Sequence, residues 1–212
     1  MRARIVTGAV AAVVAILAAA VVSIGFIVVD CVPGAALKNV SASMAPTLLP
    51  GEFFTVRFLK DWSAIPRNAL VVHVFPGDPT KELVKRIVGL PGDTLAMTDG
   101  RLEVNHQRPL EPFAWHAEPE IDPVVEDFDW QRSFLADRRD SLSYKPSRNT
   151  WGPVVVPRGH YFVLGDNRDN SLDSRYFGFL SREQLMAQVR RIYFSKDSSG
   201  HIRWSRLGRR PR

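Results

Sequence analysis

SASMAPTL, residues 41–48, lies shortly beyond a long apolar run and immediately before the first segment with a strand-like pattern. A serine is a poor nucleophile at neutral pH, so it needs a base within hydrogen-bond reach and donors placed where negative charge develops on a substrate carbonyl. Alone, this segment is also compatible with a serine-rich turn before a proline. A catalytic interpretation therefore depends on what the rest of the chain supplies.

Two later segments supply suitable groups. They are LVKRIVGLPGD at residues 83–93 and GDNRDNSLDSR at residues 165–175. Each has a structural explanation by itself, since the first is compatible with a strand that ends in a Pro-Gly turn and the second with a polar loop. Together, and in this order after an apolar run, the three segments resemble those of the bacterial type I signal peptidases, which are membrane-bound proteases with a Ser/Lys dyad.

The resemblance implies a role for each matched position. The nucleophile falls on Ser43, the general base on Lys85, and the hydroxyl that joins the Ser43 N–H in the oxyanion hole on Ser41. The serine that orients the lysine falls on Ser171. The charged residues expected to support this arrangement are Asp166, Asp173, Arg175 and Arg86. The resemblance also implies an apolar pocket for the substrate side chain that immediately precedes the scissile bond. Its expected lining residues are Met44, Leu48, Leu83 and Val84.

Lys85 can act as a base only if its amine is neutral. A lysine of ordinary pKa, about 10.4, is protonated at neutral pH, but burial can lower that pKa by up to about 3 to 5 units. Apolar residues flank Lys85 on both sides, which makes burial possible. A lysine in a strand more often points to solvent, and it is the presence of the other two segments that favours the buried alternative.

Histidine offers the commoner way to activate a serine. The five histidines are His73, His106, His116, His160 and His201, and none lies in a nucleophile-elbow or similar context. His160 adjoins the third segment, but a histidine at the start of a strand is more often structural. No pair has the spacing of metal ligands, so we expect no metal and no other cofactor.

The aspartates of the third segment have a second interpretation. Asp166, Asp169 and Asp173 are compatible with a calcium loop, because a hard cation prefers oxygen ligands. The interposed Arg168 and Arg175 argue against it. We expect these arginines to form charge-assisted hydrogen bonds with the aspartates and to fix the loop.

The N-terminus predicts a membrane anchor. Residues 5–29 carry no charge, and Arg2 and Arg4 precede them. A span needs only about 20 apolar residues, whereas the apolar core of a cleavable signal peptide has about 7 to 15. The positive-inside rule places residues 1–4 in the cytoplasm and residues 30–212 outside. Cys31, the single cysteine, excludes an internal disulfide, and Asp30 before it argues against a lipoprotein site.

The remaining sequence predicts a mostly β fold, in which an antiparallel β domain with an inserted subdomain follows the transmembrane helix. Strands are predicted at 53–58, 70–75, 83–88, 160–164, 188–194 and 201–204, and a hairpin at 94–105 turns at Asp99-Gly100. Outside the anchor, the only helix signal is the capping box of Ser181 and Gln184. Residues 98–157 are predicted to be a variable insertion, because from residue 111 they show no clear periodicity.

The function expected from the resemblance is removal of N-terminal signal peptides at small-residue, Ala-x-Ala-like sites by a single-pass enzyme of the bacterial inner membrane. Its partners are exported preproteins and membrane lipid. The net charge of +6 is concentrated in an arginine-rich tail, and no nucleic-acid module is recognisable. Two alternatives remain open: a related Ser/Lys maturation peptidase with a specialised substrate, and an inactive anchored module that binds exported chains.

Overall fold

Ten β-strands make up most of the regular structure in the part of the chain that the structure describes. The computed structural model describes residues 36–58, 61, 65–117, 122, 126–137 and 143–212. The strands are β1 Ala36–Asn39, β2 Glu52–Phe58, β3 Leu70–Phe75, β4 Asp78–Gly89, β5 Thr94–Thr98, β6 Arg101–Val104, β7 Trp151–Val155, β8 His160–Leu164, β9 Leu180–Ser181 and β10 Leu185–Ser195. The prediction of a mostly β, antiparallel fold is confirmed.

The predicted anchor at residues 5–29, the cytoplasmic residues 1–4 and Cys31 lie outside the described residues. Among the residues that are described, no helix is long and apolar enough to cross a membrane.

The strands form two antiparallel sheets. The larger has the order β1-β2-β10-β3-β4-β8-β9, and the smaller has the order β6-β5-β7. Buried apolar side chains join the two, and within this core Trp151 of β7 stacks on Phe162 of β8 with ring centroids 5.2 Å apart. A second apolar cluster covers part of the larger sheet around Val71, Ile87 and Val163. The middle strands of the larger sheet therefore have apolar cover on both faces.

β4 is the strand that carries the candidate base. It pairs with β3 on one side and β8 on the other, and Lys85 stands opposite Val71. Neighbouring residues of a strand project to opposite faces of the sheet. The side chains of Lys85 and Arg86 therefore project to opposite faces of the sheet.

Two local predictions are confirmed. Asp99 and Gly100 join β5 to β6 with φ angles of +50° and +74°, and positive φ at both central residues is what a two-residue hairpin turn requires. Ser181 and Gln184 form the predicted capping box at a 3-10 helix, Arg182–Gln184.

Other predictions need correction. The strand expected at 201–204 is absent: Ile202 makes a single bridge to Lys196, and a 3-10 helix, Trp204–Arg206, follows. The sequence also gave no signal for α1, Ser174–Phe177, or for the 3-10 helix Glu126–Phe134. The insertion at 98–157 remains a prediction; its β6 and β7 share a sheet with β5, which begins earlier, at Thr94.

The C-terminal segment is tied to the start of the domain by an ion pair between partly exposed Arg206 and buried Glu52. Glu52 is 0% exposed, and Arg206 donates to both its carboxylate oxygens at 2.6 and 2.8 Å. Burial raises the pKa of Glu52, but hydrogen bonds from Arg206, the Leu49 N–H and Ser195 outweigh it and hold the pKa below its usual value. Arg206 also donates to the Thr47 carbonyl at 2.8 Å, within the segment that follows Ser43.

Arg206→Ala should lower the free energy of unfolding by about 2 to 3 kcal/mol, because Glu52 would remain buried without its charged partner. Urea unfolding of the two proteins measures this difference. Arg210→Ala is the matched control, since Arg210 is exposed in the same tail, and it should behave like the parent. Equal stability of the Arg206 variant and the parent would contradict the assignment.

Candidate active site

Ser43 lies in a tight turn whose backbone carbonyls accept hydrogen bonds from the third segment. Asn167 donates its backbone N–H to the Ser43 carbonyl at 3.1 Å and its side-chain amide to the Ala42 carbonyl at 3.3 Å. The turn continues through a hydrogen bond from the Leu48 N–H to the Met44 carbonyl at 2.8 Å. Ser43 is 7% exposed. Residues more than a hundred positions apart in sequence therefore fix its backbone.

The Lys85 amine meets the Ser43 hydroxyl. Lys85 Nζ lies 2.6 Å from Ser43 Oγ, and Lys85 is 2% exposed. Burial lowers the pKa of Lys85 from 10.5 to about 8; the charges of Asp173 and Asp166 act in the opposite direction, and Arg175 lowers it further. The structure thus brings together a serine and a lysine whose amine is largely neutral above pH 8.

The two groups predicted for an oxyanion hole are neighbours. The Ser43 N–H donates to Ser41 Oγ at 3.1 Å. The N–H and the hydroxyl therefore lie side by side. In this structure the N–H is already bonded, because the hydroxyl oxygen accepts its hydrogen.

Two buried ion pairs lie near Lys85, and their charges act on its amine. Asp166 accepts two hydrogen bonds from Arg86, at 2.8 and 2.7 Å. Asp173 accepts from Arg175 at 2.9 Å on each oxygen, and from the Gly165 N–H at 3.0 Å. Burial raises the pKa of Asp173, but the charge and hydrogen bonds of Arg175 outweigh it and lower the pKa. Both carboxylates are therefore matched by guanidinium groups.

One predicted pairing is wrong. Arg175 pairs with an aspartate as expected, but Arg168 pairs with Glu111, at 2.7 and 3.1 Å. The residues around Glu111 lie along the third segment: the Trp115 N–H donates to the Asp166 carbonyl, and the Arg168 N–H donates to the Trp115 carbonyl. Such a long-range partner has no local signal in the sequence.

Among the described residues, no three His, Cys, Asp or Glu side chains are grouped to hold a metal ion.

Ser171 is buried close to this cluster. Its hydroxyl makes no hydrogen bond of good geometry, although it lies near enough to Asp173 to help lower the pKa of that carboxyl. Orientation of Lys85 by Ser171 therefore stays a prediction. A methyl group on Gly165 would collide with Ser171 Oγ and would lie 2.6 Å from the Ser43 carbonyl oxygen. Gly165 is therefore part of the site, although the sequence predicts no role for it.

The predicted pocket residues lie on two elements. Met44 and Leu48 are buried in the turn that carries Ser43. Leu83 and Val84 are half-buried neighbours in β4, so their side chains project to opposite faces of the sheet and Leu83 shares the face of Lys85. Their contact with a substrate remains a prediction.

The histidine that adjoins the third segment is engaged elsewhere. His160 Nδ1 lies 3.0 Å from the Arg158 carbonyl. His73, for which the sequence predicts no separate role, is fully buried in β3 on the face that Lys85 occupies.

A profile of the family described as "Signal peptidase, peptidase S26" matches residues 6–194 of the 212. This chain belongs to that family. Signal peptidase I of Pseudomonas fluorescens is 35% identical over 153 residues, which cover 65% of this chain and 53% of the relative. Signal peptidase I V of Bacillus subtilis (strain 168) is 32% identical over 153 residues, which cover 72% of this chain and 81% of the relative.

The match spans about half the length of the Pseudomonas member of the family. A crystal structure of a signal peptidase I from Enterococcus faecalis V583 superposes with a TM-score of 0.40 at 26% identity, covering 60% of this chain and 98% of that one.

Gly165→Ala should lower kcat/KM by about 100-fold or more, because the added methyl group forces Ser171 and the Ser43 backbone apart and small misplacements at a reacting centre cost about that much. Peptide cleavage by the detergent-solubilised full chain measures the loss. Gly200→Ala is the control: with φ of +87° and open space around it, it should cost about 1 kcal/mol of stability and no activity. Full activity of the Gly165 variant would refute the close packing.

Proposed function

We propose that this chain is a serine endopeptidase that removes N-terminal signal peptides from exported preproteins at small-residue sites. The observation that carries the proposal is the 2.6 Å contact between the buried Lys85 amine and the Ser43 hydroxyl. Membership of the signal peptidase family supports the choice of substrate.

In the acylation step, the neutral Lys85 amine takes the proton of the Ser43 hydroxyl as Oγ attacks the scissile carbonyl carbon. The carbonyl oxygen becomes an oxyanion, which the Ser43 N–H and the Ser41 hydroxyl stabilise once that hydroxyl turns from the N–H to the substrate. The Lys85 ammonium then protonates the leaving nitrogen, and the C–N bond breaks. The mature protein leaves with a free amine, and the signal peptide remains as an ester on Ser43.

In the deacylation step, the same amine takes a proton from water, and the resulting hydroxide attacks the ester carbonyl. The C–O bond to Ser43 breaks, and the Lys85 ammonium returns its proton to Oγ. The signal peptide leaves as a carboxylic acid, which loses its remaining proton to solvent and becomes a carboxylate. Each step returns Lys85 to the neutral form, so a single base serves both halves of the reaction.

The supporting residues hold this geometry. Arg86–Asp166 and Arg175–Asp173 are closed pairs, so they shape the loop without leaving an unmatched charge beside the amine. Ser171 is assigned the role of an acceptor for an N–H of Lys85. The hydroxyl is available for this contact because it has no hydrogen bond of good geometry.

The proposed function also includes a pocket for the substrate and an anchor in the membrane. Met44, Leu48, Leu83 and Val84 are assigned to an apolar pocket that admits a small side chain before the cut. Residues 5–29 are assigned to a single transmembrane helix, with the catalytic domain on the outer face of the bacterial inner membrane. Such an anchor raises the effective concentration of the site where the apolar segment of a preprotein ends.

Ser43→Ala should abolish cleavage, whereas Ser41→Ala should lower the rate by about 100- to 1000-fold, the usual loss for one oxyanion donor. Cleavage of a synthetic preprotein peptide, with the product ends mapped by mass spectrometry, separates the two outcomes. Equal and total loss in both variants, with both folded, would mean that the nucleophile is assigned to the wrong serine.

The pH profile tests the base. Because burial lowers the pKa of Lys85 to about 8, the neutral amine forms as pH rises, and kcat/KM should rise on a limb with its midpoint near that value. Lys85→Arg retains the charge and should be as inactive as Lys85→Ala, a loss of about 100-fold or more. Near-parent activity of the arginine variant, or loss of the limb in a His160 variant, would exclude the dyad.

The topology is tested in intact spheroplasts. Protease added outside should cut the chain after residue 30, because Arg2 and Arg4 favour a cytoplasmic N-terminus. A reporter fused to the N-terminus should stay protected until the membrane is opened. Protection of the C-terminal tail in spheroplasts, with digestion in inverted vesicles, would reverse the assignment.

A further inference from the structure

The most unusual buried polar side chain outside the proposed dyad is His73. It is 0% exposed in β3, and its ring centroid lies 5.7 Å from that of Phe177. Its Nδ1 lies 2.9 Å from the Val74 carbonyl. Since a carbonyl can only accept, Nδ1 carries the hydrogen, and Nε2 presents a bare lone pair. That Nε2 has no hydrogen-bond partner in the structure, which is costly for a buried acceptor.

His73 is a close neighbour of the candidate base. The register pairs His73 with Leu83 and Val71 with Lys85, so His73 and Lys85 share one face of the sheet on adjacent strands as a diagonal pair. Burial lowers the pKa of His73 to about 4, and the charge of Lys85 contributes to the lowering. His73 is therefore neutral where Lys85 titrates, and its Nε2 can only accept.

The Lys85 ammonium has N–H groups that need hydrogen-bond acceptors. After Lys85 takes the proton of Ser43 it is an ammonium with three N–H groups. Ser43 Oγ is within reach of one of them. The buried acceptors that have no partner of good geometry include Ser171 Oγ and His73 Nε2. The contact with Ser43 therefore leaves two N–H groups of the ammonium for other acceptors.

We propose that His73 is a positioning residue for Lys85, whose Nε2 accepts one N–H of the Lys85 ammonium, directly or through one water. It thereby stabilises the ammonium and directs the remaining bonds of the amine towards Ser43 and Ser171. The inference rests on the proposed Ser/Lys mechanism. Asp173 and Asp166, whose charges also favour the ammonium, and Arg175, which disfavours it, face Lys85 from the third segment and α1. None of them changes when His73 is replaced.

The test compares His73→Phe and His73→Gln with the parent in the full-length, detergent-solubilised chain. Phenylalanine keeps the ring and removes the acceptor, so the pKa of Lys85 should fall and the rising limb of kcat/KM should move about one pH unit lower. The plateau of kcat should fall about 3- to 10-fold, because the ammonium formed in the transition state loses an acceptor. Glutamine places an oxygen near the position of Nε2 and should keep the limb near that of the parent.

Thermal unfolding accompanies these profiles and establishes that both variants are folded at the temperature of the assay. A purely structural role for His73 would leave the limb where it is. An unmoved limb in His73→Phe, or the same downward shift in both variants, overturns the inference.

A measurement on the unsubstituted histidine avoids any failure of the variants to fold. The ¹⁵N resonance of His73 Nε2 should shift as pH falls through the limb, when the ammonium forms, and should not shift in Lys85→Met. A resonance that is constant across the limb overturns the inference. Activity in Lys85→Met would instead refute the dyad itself, so the two failures are distinguishable.

Discussion

Burial of the Lys85 amine is the constraint on which the rest of this structure depends. An ammonium taken out of water loses much of its hydration, so its pKa falls to about 8, and the neutral form becomes available as a base. Burying this amine destabilises the fold least when no other charge near it is left without a partner. Arg86–Asp166 and Arg175–Asp173 meet this condition as closed pairs, and they simultaneously fix the loop that approaches the amine.

Much of the fold was predictable because it follows from local rules. The Asp99-Gly100 turn needs only two residues that tolerate positive φ between apolar strands, and the capping box at Ser181 needs only a partner three residues away. The contact of Ser43 with Lys85 is different in kind. No local rule links these residues, and their proximity was expected only because three segments together resembled a known family.

The predictions that failed depend on tertiary contacts. Arg168 pairs with Glu111, which is 57 residues away, and no spacing rule favours that carboxylate over the adjacent aspartates. Residues 201–204 alternate polar and apolar side chains as a strand does, but Ile202 makes only one bridge, and a 3-10 helix begins at Trp204. His73 sits in the apolar run LVVHVF, and a sequence does not say whether the polar member of a buried strand is incidental or faces a functional group.

Direct titration of the Lys85 amine tests whether it can act as the base. NMR with labelled lysine, in which the Lys85 signal is assigned by its loss in Lys85→Met, measures the pKa of this amine without reference to any substrate. A midpoint near 8, well below the 10.5 of an ordinary lysine, is the predicted result. A midpoint at the ordinary value would mean that Lys85 is charged under working conditions, and the proposed base would have to be found elsewhere.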